Sequence, residues 1–561
     1  IDSIPVTRNG KLDKRALPDI AVQTEKEYIA PRNAKEMAIV RAFSEILNME
    51  KVGVQDNFFE LGGDSIKAIR IISILRNYGY SVTVKEIMNY RTVEKIASVI
   101  KENSAAITYE QGEVYGIVEK TPIIRMFDKC GYQKPAHYNQ AMLFDTTGIS
   151  NELISKAIEA LVKHHDILRA VYRGGELIIL SSKESKLFDL YEFDYSDIQD
   201  KKTVLEEKCS EIQAGIDLVN GPLVKIAVFT LGEEKKMMFC IHHLAVDGVS
   251  WRILGEDFQK AIDQLEMGKQ IELPAKTASF IDWSKALNGY KLTERFENDM
   301  QYWKKMMPKY VEFELQHEWE SSCFNGYSSV VLSITEEETE TLLRKSNKAF
   351  NTEINDLLLA ALAEAVYRYN EQDSVTVFLE NHGRVDINTP IDVDRTVGWF
   401  TNIYPIVIEA CDDWEETIIK NKDAIHAVPN NGIAFGLNFD ENTVLPDGIE
   451  FNYLGDFGSS SNHQDREKTV YSCGLSVAKE NKSLCSISIN GSVMNGVLFF
   501  SILYDREKYS GDRMKRFAAH YHDTLVEIGS YCSSSDDVTL TASDFSDDLD
   551  SDDFDSIIDL M

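Results

Sequence analysis

The spacing of apolar positions changes along the chain. Over Ala34–Met49 the residues Met37, Ile39, Val40, Phe43, Ile46 and Leu47 recur at about 3.6 positions, which predicts an amphipathic helix. Ile66, Ile69, Ile72 and Leu75 share one face of a second predicted helix, Ser65–Asn77. Val93, Ile96, Ala97 and Ile100 do the same over Thr92–Lys101, with Thr92 placed to cap it. Residues 34–104 therefore read as a small helical bundle. Residues 1–33 hold Pro5, Gly10, Pro18 and Pro31 and no stripe long enough for a core. From about residue 113 strand-like and helix-like segments alternate. The run Lys236–Ile241 has strand length and ends in His242 and His243.

The length of 561 residues predicts about three or four domains. The formal net charge is −32, which disfavours nucleic acid as a partner. That charge is unevenly spread. Residues 1–33 and 34–104 each carry +1, residues 105–535 carry −24, and residues 536–561 carry ten Asp and no base. So dense a run of like charge predicts a solvated linker. Its Phe554, Ile557, Ile558 and Leu560 stand at helical spacing, and would let it dock on a basic partner instead. No apolar run reaches the roughly 18 residues of a membrane span. The eight cysteines show no C-x-x-C pair, so neither a disulfide scaffold nor a zinc site is predicted, and a reducing cytoplasm is the expected location. The first residue is Ile1, which fits a piece of a longer chain.

Three stretches carry chemistry. In Gly62-Gly63-Asp64-Ser65 two glycines allow a tight turn into a helix, and Ser65 falls at its N-terminus, where free N–H groups favour a phosphate ester. An ordinary N-cap is the plain alternative. In His242-His243-Leu244-Ala245-Val246-Asp247-Gly248-Val249-Ser250-Trp251, adjacent residues on a strand face opposite ways, so one His can enter a cavity while the other faces structure. A metal site, a pair of packed histidines and a general base all remain open at this point. Pro5-Val6-Thr7-Arg8-Asn9-Gly10-Lys11-Leu12-Asp13 reads as a turn presenting Lys11.

These stretches resemble parts of nonribosomal peptide synthetases. The Lys11 segment resembles the last motif of an adenylation domain, whose lysine contacts the acyl-adenylate. Gly62–Ser65, set among Phe58, Phe59, Leu61 and Ile66, resembles a peptidyl carrier domain. That resemblance implies a four-helix fold and covalent 4′-phosphopantetheine on Ser65, installed by a phosphopantetheinyl transferase. The histidine segment resembles the condensation and epimerisation superfamily, which implies two chloramphenicol-acetyltransferase-like α+β lobes around a tunnel. His243 is then the catalytic histidine, His242 and Asp247 are structural, and Arg169, in His164-His165-Asp166-Ile167-Leu168-Arg169, is the expected ion-pair partner of Asp247.

Four further segments lean toward epimerisation. Glu380-Asn381-His382-Gly383-Arg384 resembles E-G-H-G-R, and Val397-Gly398-Trp399-Phe400-Thr401-Asn402-Ile403-Tyr404-Pro405 matches V-G-W-F-T-x-x-Y-P. Pro429–Gly436 resembles P-x-x-G-x-G-Y-G with Ala434 and Phe435 substituted, and Phe451-Asn452-Tyr453-Leu454-Gly455 matches F-N-Y-L-G. Asn381, Val385 and Met126 depart from the family pattern. The resemblance implies that His243 and Glu380 exchange the α-proton, that Asn452 and Tyr453 position the substrate or its enolate, and that Arg384 orients Glu380 or forms a structural ion pair. The expected map is an adenylation remnant (1–33), carrier (34–104), linker (105–112), epimerisation domain (113–535, lobes about 113–290 and 291–535) and acidic tail (536–561). An upstream adenylation domain and a downstream condensation domain or module, reached through the tail, are the expected partners. A condensation domain forming peptide bonds and a silent recruitment domain are the rival readings.

Overall fold

The computed structural model describes residues 28–102, 108–313, 326–387, 389–439, 443–456, 471–535 and 538–544. Lys11, the rest of the segment before residue 28, and the tail beyond residue 544 lie outside the described residues, as do the side chains of Ser65, Ile66 and Ile69. The chain forms two units, Ile1–Asn103 and Ser104–Met561.

Among its described residues the first unit holds four helices: α1 (Ala34–Leu47), α2 (Ser65–Asn77), α3 (Val84–Tyr90) and α4 (Val93–Val99). Asn33 caps α1 by accepting from Glu36 N at 2.9 Å, and Asn48 ends it in the left-handed region at φ 54°. Phe43 and Phe58 meet at 5.3 Å between ring centroids, in a core with Ile39, Ala42, Ile71, Leu75, Val93 and Ile96. Two details differ from the sequence pattern. Met37 is exposed, because Ala38 and Ala42 take the inward positions of α1. Along α2 the small Ala68 and Ile71 join Ile72 and Leu75 in the core. The periodicity missed α3, which is too short to repeat. Its signal is the capping box of Thr83 with Glu86. A short pairing of β1 (Tyr80–Ser81) with β2 (Lys101–Glu102) closes the unit.

The second unit has two lobes, each built on a sheet. In the first lobe β3 (Gly116–Val118), β5 (Ala170–Arg173) and β6 (Glu176–Ile179) form a small sheet. The main sheet runs β4 (Asn139–Asp145), β9 (Lys235–His242), β8 (Val224–Thr230), β7 (Asp189–Asp194). Strand β8 is buried from Val224 to Phe229 and β9 from Met237 to His242, as central strands covered on both faces should be. Helices α5 (Pro122–Cys130), α6 (Asn151–His164), α7 (Lys201–Ala214) and α8 (Gly248–Glu266) flank these sheets.

Among the described residues the second lobe has six strands in the order β10 (Tyr327–Ser333), β15 (Val497–Asp505), β14 (Ile487–Met494), β13 (Ile449–Asp456), β11 (Ser374–Asn381), β12 (Asn402–Glu409). The pairs β14–β13 and β13–β11 are parallel, and the others antiparallel. The helices Ile354–Asn370 and Gly511–Ser533 cover one face through an almost unbroken apolar run, Leu357–Ala363, and through Phe517, Tyr521 and Leu525.

A strap from the second lobe crosses to the first. Asn139 N donates to Ser476 O and Ala478 N to His137 O, both at 2.9 Å. The ends of this unit are tied to its body. Asp392 N donates to the Tyr109 hydroxyl at 2.7 Å, and Lys276 N to Gln111 Oε1 at 2.9 Å, so the expected linker is held on the body from Tyr109 onward. Thr539 N donates to Ala349 O, and Asp544 pairs with the buried Lys422 at 2.6 Å, so the acidic segment begins as part of the body.

Candidate active site

Strand β9 delivers His242 and His243 to the lobe junction, and the two rings do point apart. His242 is buried in structure: its Nε2 donates to Pro135 O at 2.8 Å and its Nδ1 accepts from Leu244 N at 3.2 Å. Burial drives its pKa down to about 3, so it is neutral. His243 begins the short turn His243–Ala245 and lines a cavity between the lobes. Its ring packs against Tyr138, nearly parallel at 5.4 Å, and against Trp399 at 4.2 Å, and those two rings also meet at 5.9 Å. Its Nδ1 meets Val246 O at 2.9 Å, and its Nε2 meets Gln140 Nε2 at 2.9 Å. Burial lowers the pKa of His243 too.

Glu380 comes from the second lobe, near the end of β11. Parallel pairing sets Phe378 beside Glu450 and Leu379 beside Phe451. Alternation then puts Glu380, Glu450 and Asn452 on one face of the sheet and Tyr453 on the other. Asn452 Nδ2 donates to Glu380 Oε2 at 2.7 Å. Glu380, Glu450 and His243 line the same cavity, which holds about 570 Å³ of empty space, part of it open to solvent. Burial raises Glu380 well above the usual carboxylate range, and the neighbouring Glu450 carboxylate raises it further. Glu450 is itself raised by burial, partly offset by a hydrogen bond from Ser488. Of the expected residues the structure brings His243, Glu380 and Asn452 together, and it adds Glu450, Tyr138, Gln140 and Trp399, to which the sequence pattern gave no place beside them. Glu450 had a signal: it stands two residues before Asn452 in a strand. Tyr453 is not among the described residues lining the cavity.

The expected ion pair of Asp247 with Arg169 does not form. Arg169 turns into its own segment. Its Nη2 donates to Asp166 at 2.7 Å, Nη1 to Val162 O and Lys163 O at 2.9 Å, and Nε to Leu180 O at 3.1 Å. The partner of Asp247 is Arg384, whose Nη1 donates to Oδ2 at 2.9 Å. Asp247 also accepts from Phe400 N at 3.0 Å and from Ser250 N, capping α8, at 2.8 Å. Arg384 Nη2 further donates to Thr396 O at 3.0 Å, and its guanidinium lies 4.0 Å from the Phe400 ring centre. Of the two expected roles, Arg384 thus takes the structural ion pair, and its guanidinium bonds go to Asp247, Ser250 and Thr396. It ties the histidine turn to the segment after β11. Gly383 makes this possible: at φ +66° it passes so close to Phe400 that an added Cβ would lie 1.8 Å from that carbonyl oxygen. Asn381, where the family has glycine, bonds back to Gly383 N through Oδ1 at 3.2 Å. Phe435, where tyrosine is usual, packs on Trp303 at 4.9 Å. Met126 lines the cavity.

A separate cluster, His164, His165 and Asp257, has ligand atoms close enough for a metal. However, Arg395 Nη2 donates to Asp257 at 2.6 Å and already supplies the positive charge there.

In the helical unit Ser65 is the first residue of α2, and Asp64 caps that helix by accepting from Lys67 N at 2.7 Å. Gly63 cannot carry a side chain, since a Cβ would lie 2.4 Å from the Phe58 ring. The turn therefore holds a serine at the N-terminus of a thirteen-residue helix, a fitting attachment point for a phosphate ester.

Comparison with known proteins agrees with this geometry. Residues 124–549 match the family model of the condensation domain, and residues 38–100 that of the phosphopantetheine attachment site. Gramicidin S synthase 1 of Brevibacillus brevis is 35% identical over 591 residues, an alignment covering 100% of this chain and 54% of that protein. Surfactin synthase subunit 1 of Bacillus subtilis (strain 168) is 34% identical, with 16% of its length covered. The chain thus spans about half or less of these relatives. Among solved structures, the epimerization domain from the third module of tyrocidine synthetase B superposes with a TM-score of 0.71 and 32% identity, covering 76% of this chain and 99% of that one. The first condensation domain of the calcium-dependent antibiotic synthetase shares the fold at a TM-score of 0.57 and 15% identity, covering 75% of this chain and 98% of that one. The chain belongs to the condensation-domain family of nonribosomal peptide synthetases, with a phosphopantetheine carrier ahead of the two-lobed domain. The carrier's cofactor is covalent 4′-phosphopantetheine.

Proposed function

We propose that the two-lobed unit is an epimerisation domain, which interconverts the L and D configurations at the α-carbon of an aminoacyl or peptidyl thioester. The observation that carries this reading is one cavity with His243 on one lobe and Glu380 on the other. Phosphopantetheine on Ser65 supplies the thiol that holds the substrate as a thioester and carries it to the cavity.

The thioester makes the α-proton of the substrate more acidic than that of an amide. Burial keeps His243 neutral and Glu380 protonated near neutral pH, so the pair rests as one base and one acid. In the L-to-D direction the substrate displaces the Gln140 amide from His243 Nε2, which then takes the α-proton, and the electron pair of the broken C–H bond moves onto the thioester oxygen. Glu380 then gives its proton to the opposite face of the α-carbon. The return of a proton from the imidazolium to the Glu380 carboxylate resets the pair. Asn452 acts through Glu380: its amide holds Oε2, which leaves the other carboxyl oxygen to carry the proton. We infer further that the carrier is charged by an adenylation domain and delivers to a condensation domain of a following module.

The test is to load an L-aminoacyl-pantetheine onto Ser65, hydrolyse the thioester and separate the enantiomers. A mixture of L and D supports epimerisation. Unchanged L, with dipeptide formed only when an acceptor carrier is added, supports condensation. Unchanged L with no dipeptide supports a recruitment domain without chemistry.

A further inference from the structure

An indole N–H can only donate. Trp251 Nε1 donates to Gln140 Oε1 at 2.7 Å, and this fixes which way the Gln140 amide faces. Its NH₂ group is therefore the end that meets His243 Nε2 at 2.9 Å. Because that nitrogen faces a donor, it must accept and carries no proton. The ring proton sits on Nδ1 and is donated to Val246 O at 2.9 Å. Register explains the reach: β4 lies antiparallel to β9, with Gln140 opposite Ile241, close to where the chain turns at His243.

We propose that Gln140, anchored by Trp251, is a positioning residue that holds His243 as the Nδ1–H tautomer and keeps its Nε2 lone pair free of a proton at rest. This rests on the reading of His243 as the base. Val246 O alone accepts equally from neutral imidazole and from imidazolium. Gln140 discriminates between them, because a proton on Nε2 would point at the amide hydrogens. The resting base therefore stays unprotonated, and the proton it gains from the substrate is readily released.

The remaining ionisable groups around His243 are Asp247 behind the turn, His242 beside it, Tyr138 on one ring face, and Cys130, Tyr132, Glu380, Glu450 and Lys482 around the cavity. None of them makes a hydrogen bond to Nε2 among the described residues.

The test is nitrogen-15 NMR of the histidine rings in the full chain, with the His243 signals identified by their loss in His243→Ala. The parent is expected to show Nδ1 protonated and Nε2 bare at neutral pH. Gln140→Glu replaces the donor with an acceptor, and should raise the titration midpoint of His243 by about 1–3 pH units. Trp251→Phe keeps the ring against Phe239 but releases the amide, and should give a mixture of the two tautomers. Should either variant fail to fold, the other still decides. Identical His243 shifts and midpoint in the parent and the folded variants would overturn the proposal. The spectrum reads the ring whether or not the chain epimerises, so this result is independent of the chiral assay. A parent with the expected tautomer but no D product would overturn the epimerase reading alone.

Discussion

His243 and Glu380 are both uncharged near neutral pH, from the same physical cause. Burial disfavours a charge of either sign, so it lowers a histidine and raises a carboxylic acid. The exchange rate should accordingly be bell-shaped in pH. It falls on the acid side as His243 gains a proton and on the alkaline side as Glu380 loses one. Glu450→Gln removes the neighbouring negative charge, so the alkaline limb should move to lower pH. A limb that stays in place contradicts a Glu450 effect on Glu380. Stability follows the same signs. Glu450 is raised in the fold, so its contribution is fully present below its ordinary value of 4.5 and is lost as pH rises through the raised value. Glu450→Gln should melt higher than the parent near pH 9 and at about the same temperature near pH 4, as thermal unfolding at the two pH values will show.

The element that assembles the site is the turn after β11. Arg384, Gly383 and Phe400 place Asp247 in a buried ion pair that joins the end of β9 to the end of β11. Arg384→Ala leaves Asp247 buried without its partner. It should cost about 3–5 kcal/mol in denaturant unfolding, whereas Arg169→Ala should leave the histidine turn in place. A loss under 1 kcal/mol in Arg384→Ala would show that the pair is not needed. This is also where sequence reading stopped. The spans of α1, α2 and α4, the strand ending at His242, and the placement of His243 and Glu380 were legible, because local period and motif carry them. The partner of Asp247 was not legible, because Arg384 lies 137 residues away and several arginines were equally eligible. Gln140 was invisible for a similar reason: a half-buried glutamine in a strand has no special spacing, and its meaning comes only from the β4–β9 register.

At the scale of the whole molecule, the lobes are joined by contacts that surround the cavity. The strap near Ser476–Ala478, the Asp247–Arg384 pair and the close fit of Gly436 on Pro122 all cross the lobe junction. The acidic body and the near-neutral helical unit keep the charge asymmetry of the sequence. Ser65→Ala should abolish the mass gain on incubation with a phosphopantetheinyl transferase, while the fold of both units, followed by circular dichroism, is unchanged. The central claim is that His243 and Glu380 move a proton on and off one α-carbon. Its most direct test is deuterium entry at that carbon when the L-aminoacyl chain is incubated in D₂O and analysed by mass spectrometry. Rapid deuterium uptake in the parent is predicted, with uptake lowered at least ~100-fold in His243→Ala and in Glu380→Gln. A parent that gains no deuterium, or variants that gain it at the parent's rate, would contradict the account.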